Sequence, residues 1–87
     1  MADKYNGYTN WETWNVMLWV GNEESYYNRV NEFLHGVEGD ISTELISAFF
    51  KVRMFPKGTP DMKSRKEMKV VNWDEVTSHL IEDHKNQ

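Results

Sequence analysis

The sequence contains no cysteine. That excludes a disulfide staple, a thiolate metal site and a cysteine nucleophile. Glycine is sparse, at positions 7, 21, 36, 39 and 58. These are never spaced to aim successive backbone N–H groups at a phosphate. There is no Gly-x-Ser-x-Gly elbow to present a nucleophilic serine. Only two prolines occur, Pro56 and Pro60, so helix-breaking is concentrated in one place. No apolar run approaches the roughly 18–20 residues of a membrane span. Met1-Ala2-Asp3-Lys4 lacks a charged-then-apolar leader, so a cytosolic, unprocessed chain is expected.

What is present is aromatic bulk and uneven charge. The 87 residues suffice for a single domain spanning 1–87, and include four Trp, four Tyr and four Phe. So short a chain buries only about 60–65% of its unfolded surface, and large rings compensate for that. The net charge of −4 divides into −6 over residues 1–50, +5 over 51–69 and −3 over 70–87. The chain is an acidic body carrying one basic segment.

Apolar spacing predicts an all-α domain of three to four helices. Residues 1–8 form a loose start with an Asn6-Gly7 turn, pinned by Tyr5 and Tyr8. Thr9 or Asn10 caps the first helix, and Thr9 with Glu12 reads as a capping box. From Trp11 to Val20 this helix is apolar on most faces, which suits the central element of a core. Trp14 and Leu18 are read as core, whereas Trp11 and Trp19 are candidates for a partner-binding surface. Gly21 is placed as a left-handed C-terminal residue, and Asn22 as the restart. Tyr26, Val30, Phe33, Leu34 and Val37 then make a helical stripe that ends at Gly36 and Gly39.

Asp40 is expected to cap a third helix with Ile41, Leu45, Ala48, Phe49 and Val52 as its main face, and Ile46 and Phe50 beside it. Residues 56–69 are read as a basic surface loop with at most one short helical turn and little that builds a core. Asn72 caps the last helix, with Glu75 completing a capping box and Val71 facing Val76. Trp73, Val76, Thr77, Leu80 and Ile81 form its buried face, and residues 85–87 fray. Asn10-Trp11-Glu12 and Asn72-Trp73-Asp74 look alike because both solve the same capping problem.

Candidate chemistry is thin. His79 and Asp83 share a helix face and His84 is adjacent, but a stable metal site needs three or four ligands. They are read as a solvated face, with no metal or cofactor expected. His35 precedes Gly36 at a helix end, where a partly positive ring suits the dipole. The acid pairs Glu23-Glu24 and Glu82-Asp83 lie at polar positions near helix ends, so acid–base catalysis is not expected and the chain is read as a non-enzyme. The bases Lys57, Lys63, Arg65, Lys66 and Lys69 are not needed for a core, and they are the first candidates for a contact surface. That surface would suit an acidic protein. The alternative is a nucleic-acid-binding module over 51–69, although residues 56–69 hold no aromatic side chain on which bases would stack. Mimicry of duplex DNA is disfavoured by the +5 segment.

Two motifs carry a resemblance. Thr9-Asn10-Trp11-Glu12-Thr13-Trp14-Asn15-Val16-Met17-Leu18-Trp19 with Asn22-Glu23-Glu24, and Val71-Asn72-Trp73-Asp74-Glu75, resemble the opening and closing motifs of a family of small uncharacterised bacteriophage-encoded proteins. The resemblance implies a phage accessory protein in the cytoplasm of an infected bacterial host. It would bind a host or phage protein, such as a polymerase or defence component, and modulate host transcription or defence. The basic segment departs from the acidic composition associated with such relatives.

Overall fold

In the computed structural model, which describes residues 5–85, the chain is built from helices and the turns between them. Four α-helices, α1 (Trp11–Asn22), α2 (Glu24–Gly36), α3 (Thr43–Phe49) and α4 (Trp73–Lys85), account for most of it. A π-helical turn over Phe50–Met54 extends α3, and a 3-10 helix over Arg65–Val70 precedes α4. Among the described residues there is no strand beyond two isolated bridges, Tyr5 with Tyr8 and Pro56 with Gly58. The all-α expectation is met.

The start is more ordered than expected from residue 5 onward; residues 1–4 lie outside the described part. Tyr5 and Tyr8 exchange backbone hydrogen bonds of 2.7 and 2.8 Å across Asn6 and Gly7. Both turn residues have positive φ, 48° and 89°, which is why Asn-Gly suits this turn. The Tyr5 ring packs on Trp14 and the Tyr8 ring on His79. At the other end Lys85 is the last residue of α4, and 86–87 lie outside the described residues.

The two similar Asn-Trp-acid segments turn out to be neighbours, because the first turns of α1 and α4 cap one another. Asn10 Oδ1 accepts from the Thr13 backbone N–H at 2.9 Å, and Asn72 Oδ1 accepts from the Glu75 N–H at 3.1 Å. The residue three after each cap then serves the opposite helix. The Thr13 hydroxyl accepts from the Asn72 N–H at 2.8 Å, and Glu75 Oε1 accepts from the Thr9 N–H at 2.9 Å. Asn10 Nδ2 donates to the Val70 carbonyl and Asn72 Nδ2 to the Thr9 hydroxyl. The expected boxes, Thr9 with Glu12 and Asn72 with Glu75, therefore do not close locally. Glu75 crosses to the other helix instead, satisfying N–H groups that a helix start leaves unpaired.

Two boundaries and one buried face differ from the sequence reading. Gly21 lies inside α1, and the break before α2 is the single extended residue Glu23, whose N–H still reaches the Trp19 carbonyl. Asn22 is therefore the last residue of α1 and no restart. The cap of α3 is Ser42, which accepts from the Leu45 N–H at 3.1 Å, so Asp40 plays no such part.

The face of α3 is the third correction. Ile46, Phe49, Phe50 and Met54 point into the core, whereas Ala48 and Val52 are exposed and Leu45 is half-buried. The π turn shapes only the C-terminal end of this face, because Leu45 and Ala48 precede it. Its i→i+5 bond, Phe55 N–H to the Phe50 carbonyl at 2.8 Å, widens the turn. Phe50, Met54 and Phe55 are then buried together, while Val52 stays on the outward face with Ala48.

The core joins Val16, Val20, Val30, Leu34, Ile46, Phe49, Phe50, Met54, Phe55, Met62, Met68, Val71, Val76 and Leu80. α1 packs against α2, α4 and the 3-10 helix, which makes it the central element. Its buried residues are nevertheless Thr13, Asn15, Val16 and Val20. Trp14 and Leu18, read as core, are only half-buried and lie outside the core cluster. Thr13, Asn15, Val16 and Val20 face inward, Trp11, Met17 and Trp19 pack at the margin of the core, and Trp14 and Leu18 are left outside it.

Candidate functional site

The basic segment is held in place by a polar lock that begins in α1. Asn15 is fully buried in a helix that is otherwise mostly apolar. A buried amide demands partners. Asn15 Nδ2 donates to Asp61 Oδ2 at 2.8 Å, and its Oδ1 accepts from the Thr59 hydroxyl. The same Asp61 oxygen accepts from the Trp19 indole Nε1 at 2.9 Å. These bonds, Asn15 first and then Trp19, hold the Asp61 carboxyl below its ordinary range, while desolvation opposes them.

The lock shows that 56–69 is not a bare loop. Thr59, Met62 and Met68 are buried, contrary to the expectation that the segment adds little to the core. Methionine fills irregular gaps, which lets an otherwise polar stretch contribute apolar anchors. Gly58 sits at φ +88°, and a Cβ there would lie 3.2 Å from the Ser64 carbonyl oxygen and 3.3 Å from Met62. Ser64 and Glu67 then start the 3-10 helix with a capping box. The Ser64 hydroxyl accepts from the Lys66 N–H at 3.2 Å, and Glu67 Oε2 accepts from the Ser64 N–H at 3.4 Å and also from the Lys63 N–H at 2.6 Å.

On this pinned scaffold the bases stand outward. Lys51, Arg53, Lys57, Lys63, Arg65, Lys66 and Lys69 are all exposed. Arg65 and Lys69 from the 3-10 helix meet Lys51 from the π turn around a cleft of about 200 Å³. Its remaining lining is Phe55, Pro56 and Met68, so three bases surround an apolar floor. The Lys51 ammonium also lies 5.8 Å from the centre of the Trp73 ring, within cation–π range. Lys57, Lys63 and Lys66 lie on the same segment but do not line this cleft. Lys51, which had not been singled out, completes it.

The two tryptophans proposed as contact residues are placed differently. Trp11 and Trp19 are partly buried against the core, and Trp19 is tied to Asp61. Trp14 is the tryptophan on the outer side of α1, with its ring 4.9 Å from Tyr5 and 6.5 Å from Trp11.

The histidines sit elsewhere. His79 stacks obliquely on Tyr8, and with Asp83 it helps line a cleft of about 290 Å³ between α1, α2 and α4. His35 and His84 meet edge to face, with ring centres 4.8 Å apart, at the ends of α2 and α4. Among the described residues no three His, Asp or Glu side chains gather closely enough to hold a metal ion. No helix is long and apolar enough to cross a membrane, again among the described residues.

Neither a curated protein nor a solved structure matches the chain. A family model described as a family of unknown function (DUF7249) matches residues 1–87. The chain belongs to that family over its whole length.

Proposed function

We propose that this protein works as a binding module rather than a catalyst, and that its contact surface is the basic segment. The supporting observation is the cleft in which Lys51, Arg65 and Lys69 surround Phe55, Pro56 and Met68. Bases from two separate elements are brought around one apolar floor, and the Asn15–Asp61–Trp19 lock orders the segment that presents them. Ordering before binding lowers the entropy cost of association. An apolar floor ringed by cations suits an acidic protein segment carrying an aliphatic or aromatic anchor.

Nucleic acid is the second reading. It draws on the same bases, but Phe55 is buried and the cleft presents no open aromatic platform for bases. Following the motif resemblance, the setting we propose is the cytoplasm of an infected bacterial host, where the partner would be a host or phage protein acting in transcription or defence.

The test is fluorescence anisotropy with three labelled probes: a Glu/Asp-rich peptide containing one Leu or Phe, single-stranded DNA, and duplex DNA. Each is titrated at two salt concentrations with wild type and with a Lys51→Glu/Arg65→Glu/Lys69→Glu variant. The proposal expects salt-sensitive peptide binding that the variant weakens. Tighter binding of DNA, falling steeply with salt and indifferent to sequence, would replace it with the second reading. Equal affinity of both proteins for every probe, without salt dependence, would dismiss the segment.

A further inference from the structure

We infer that the cleft between α1, α2 and α4 binds a small organic cation, an ammonium group carried on a compact apolar body. This site shares no residue with the basic cleft. Its volume of about 290 Å³ lies near the lower end of the range for small-molecule sites, which fits a single ring or a branched chain. Val20, Val30, Leu34 and Leu80 are buried and give it an apolar floor. Tyr8, Tyr27, Asn31, His79 and Asp83 supply polar groups around that floor. A few convergent polar groups over an apolar floor fix the orientation of a bound molecule. The rim is set in advance. Tyr27, Asn31 and Asp83 already interact with other groups of the protein, and the Tyr8 ring packs 5.1 Å from that of His79.

Gly21 keeps this cleft open. It lies inside α1, where glycine is a poor helix former. Neither backbone nor packing requires it. Its φ is not positive, and a Cβ added there would meet nothing within 4 Å. The absent side chain leaves room in the wall that Gly21 lines. Charge then identifies the occupant. Asp83 brings a carboxylate, and among the described residues no lysine or arginine lines the cleft. The three helices around it are each acidic. α1 has one acid and no lysine or arginine, α2 has two acids and one arginine, and α4 has four acids and one lysine. Such a field repels an anion and draws in an ammonium. Tyr8 and Tyr27 add aromatic rings, whose faces attract cations.

The experiment compares probes of similar shape by amide and methyl NMR: phenethylamine, phenethyl alcohol and hydrocinnamate, which carry an ammonium, a hydroxyl and a carboxylate. Phenethylamine should give saturable shifts at Val20, Val30, Leu34 and Leu80. Phenethyl alcohol should bind several-fold more weakly, and hydrocinnamate should give no saturable shift there. Asp83→Asn keeps the shape of an exposed side chain and removes its charge. It should weaken phenethylamine several-fold and leave phenethyl alcohol unchanged, a difference that a merely structural role would not produce. Gly21→Leu should abolish binding of both, while the melting temperature holds or rises, because the position is open and the new residue favours the helix. No saturable shift with phenethylamine, or equal binding of the three probes, overturns the inference. An Asp83→Asn or Gly21→Leu protein that binds phenethylamine as tightly as wild type overturns it equally.

Discussion

Asn15 and Asp61 stand 46 residues apart in sequence and share a hydrogen bond of 2.8 Å, the buried amide donating to the carboxylate. Through this pair the central helix positions the basic segment. Removing the amide should be costly. Asn15→Ala would leave the Thr59 hydroxyl without its acceptor, and an unsatisfied buried polar group costs about 1–3 kcal/mol. Urea denaturation should show a loss of at least that size. Amide exchange should quicken over residues 59–62 more than in α4.

The same bond makes a pH prediction. Hydrogen bonds from Asn15 and Trp19 lower the Asp61 pKa in the folded protein. A lowered carboxyl pKa contributes stability above the unfolded value, and that contribution disappears as pH falls through the folded value. Asp61→Asn keeps an acceptor but cannot titrate. Melting curves between about pH 5 and pH 2 should therefore fall more steeply for wild type than for Asp61→Asn. Parallel curves would show that the carboxylate is not engaged in solution.

Tryptophan content is a poor guide to this core. Phe50 is fully buried, whereas Trp14 is half-buried outside the central cluster. Phe50→Ala should cost about 3–5 kcal/mol, the range for deleting a buried large aromatic. Trp14→Ala should cost about 1–2 kcal/mol, mostly its contacts with Tyr5 and Trp11. Equal losses in denaturant melts would contradict this arrangement of α1.

The mutual capping of α1 and α4 has its own signature. Thr13 is fully buried, and its hydroxyl accepts from the Asn72 N–H. Thr13→Val keeps the shape and removes the acceptor, at a cost of about 1–3 kcal/mol. Glu75→Ala removes the acceptor of the exposed Thr9 N–H, which water can replace, so its cost should be smaller. Because both changes loosen one junction, their costs should combine non-additively in a double-mutant cycle. Strict additivity would mean that the two helix starts are independent.

Much of this architecture was legible in the sequence. Apolar spacing pointed to three or four helices, and Thr9 or Asn10 and Asn72 marked the starts of the first and last, whereas the starts of α2 and α3 were misplaced. Pairings between distant segments were not legible. Nothing local in Glu75 says that it caps the opposite helix, and nothing in Thr59-Pro60-Asp61-Met62 says that it folds onto α1. Asn15 did offer a signal, being a polar residue within an apolar helix, which calls for a partner without naming it. The face of α3 was misread because apolar residues stand on two of its faces, and spacing alone does not say that Ile46, Phe49 and Phe50 turn inward rather than Leu45, Ala48 and Val52. Exposure of the basic residues was legible. Their ordering around Phe55 and Met68, with Lys51 joining Arg65 and Lys69, emerges only from the fold.

The claim that this ordered cleft is the contact surface is tested most directly by amide and methyl NMR. The isotope-labelled protein is titrated with a Glu/Asp-rich peptide bearing one Leu or Phe. Saturable shifts should cluster at Lys51, Phe55, Arg65, Met68 and Lys69, and should vanish in a Lys51→Glu/Arg65→Glu/Lys69→Glu variant that retains the wild-type fold. Shifts confined to the outer side of α1 around Trp14, or saturable shifts that persist in that variant, would contradict the account.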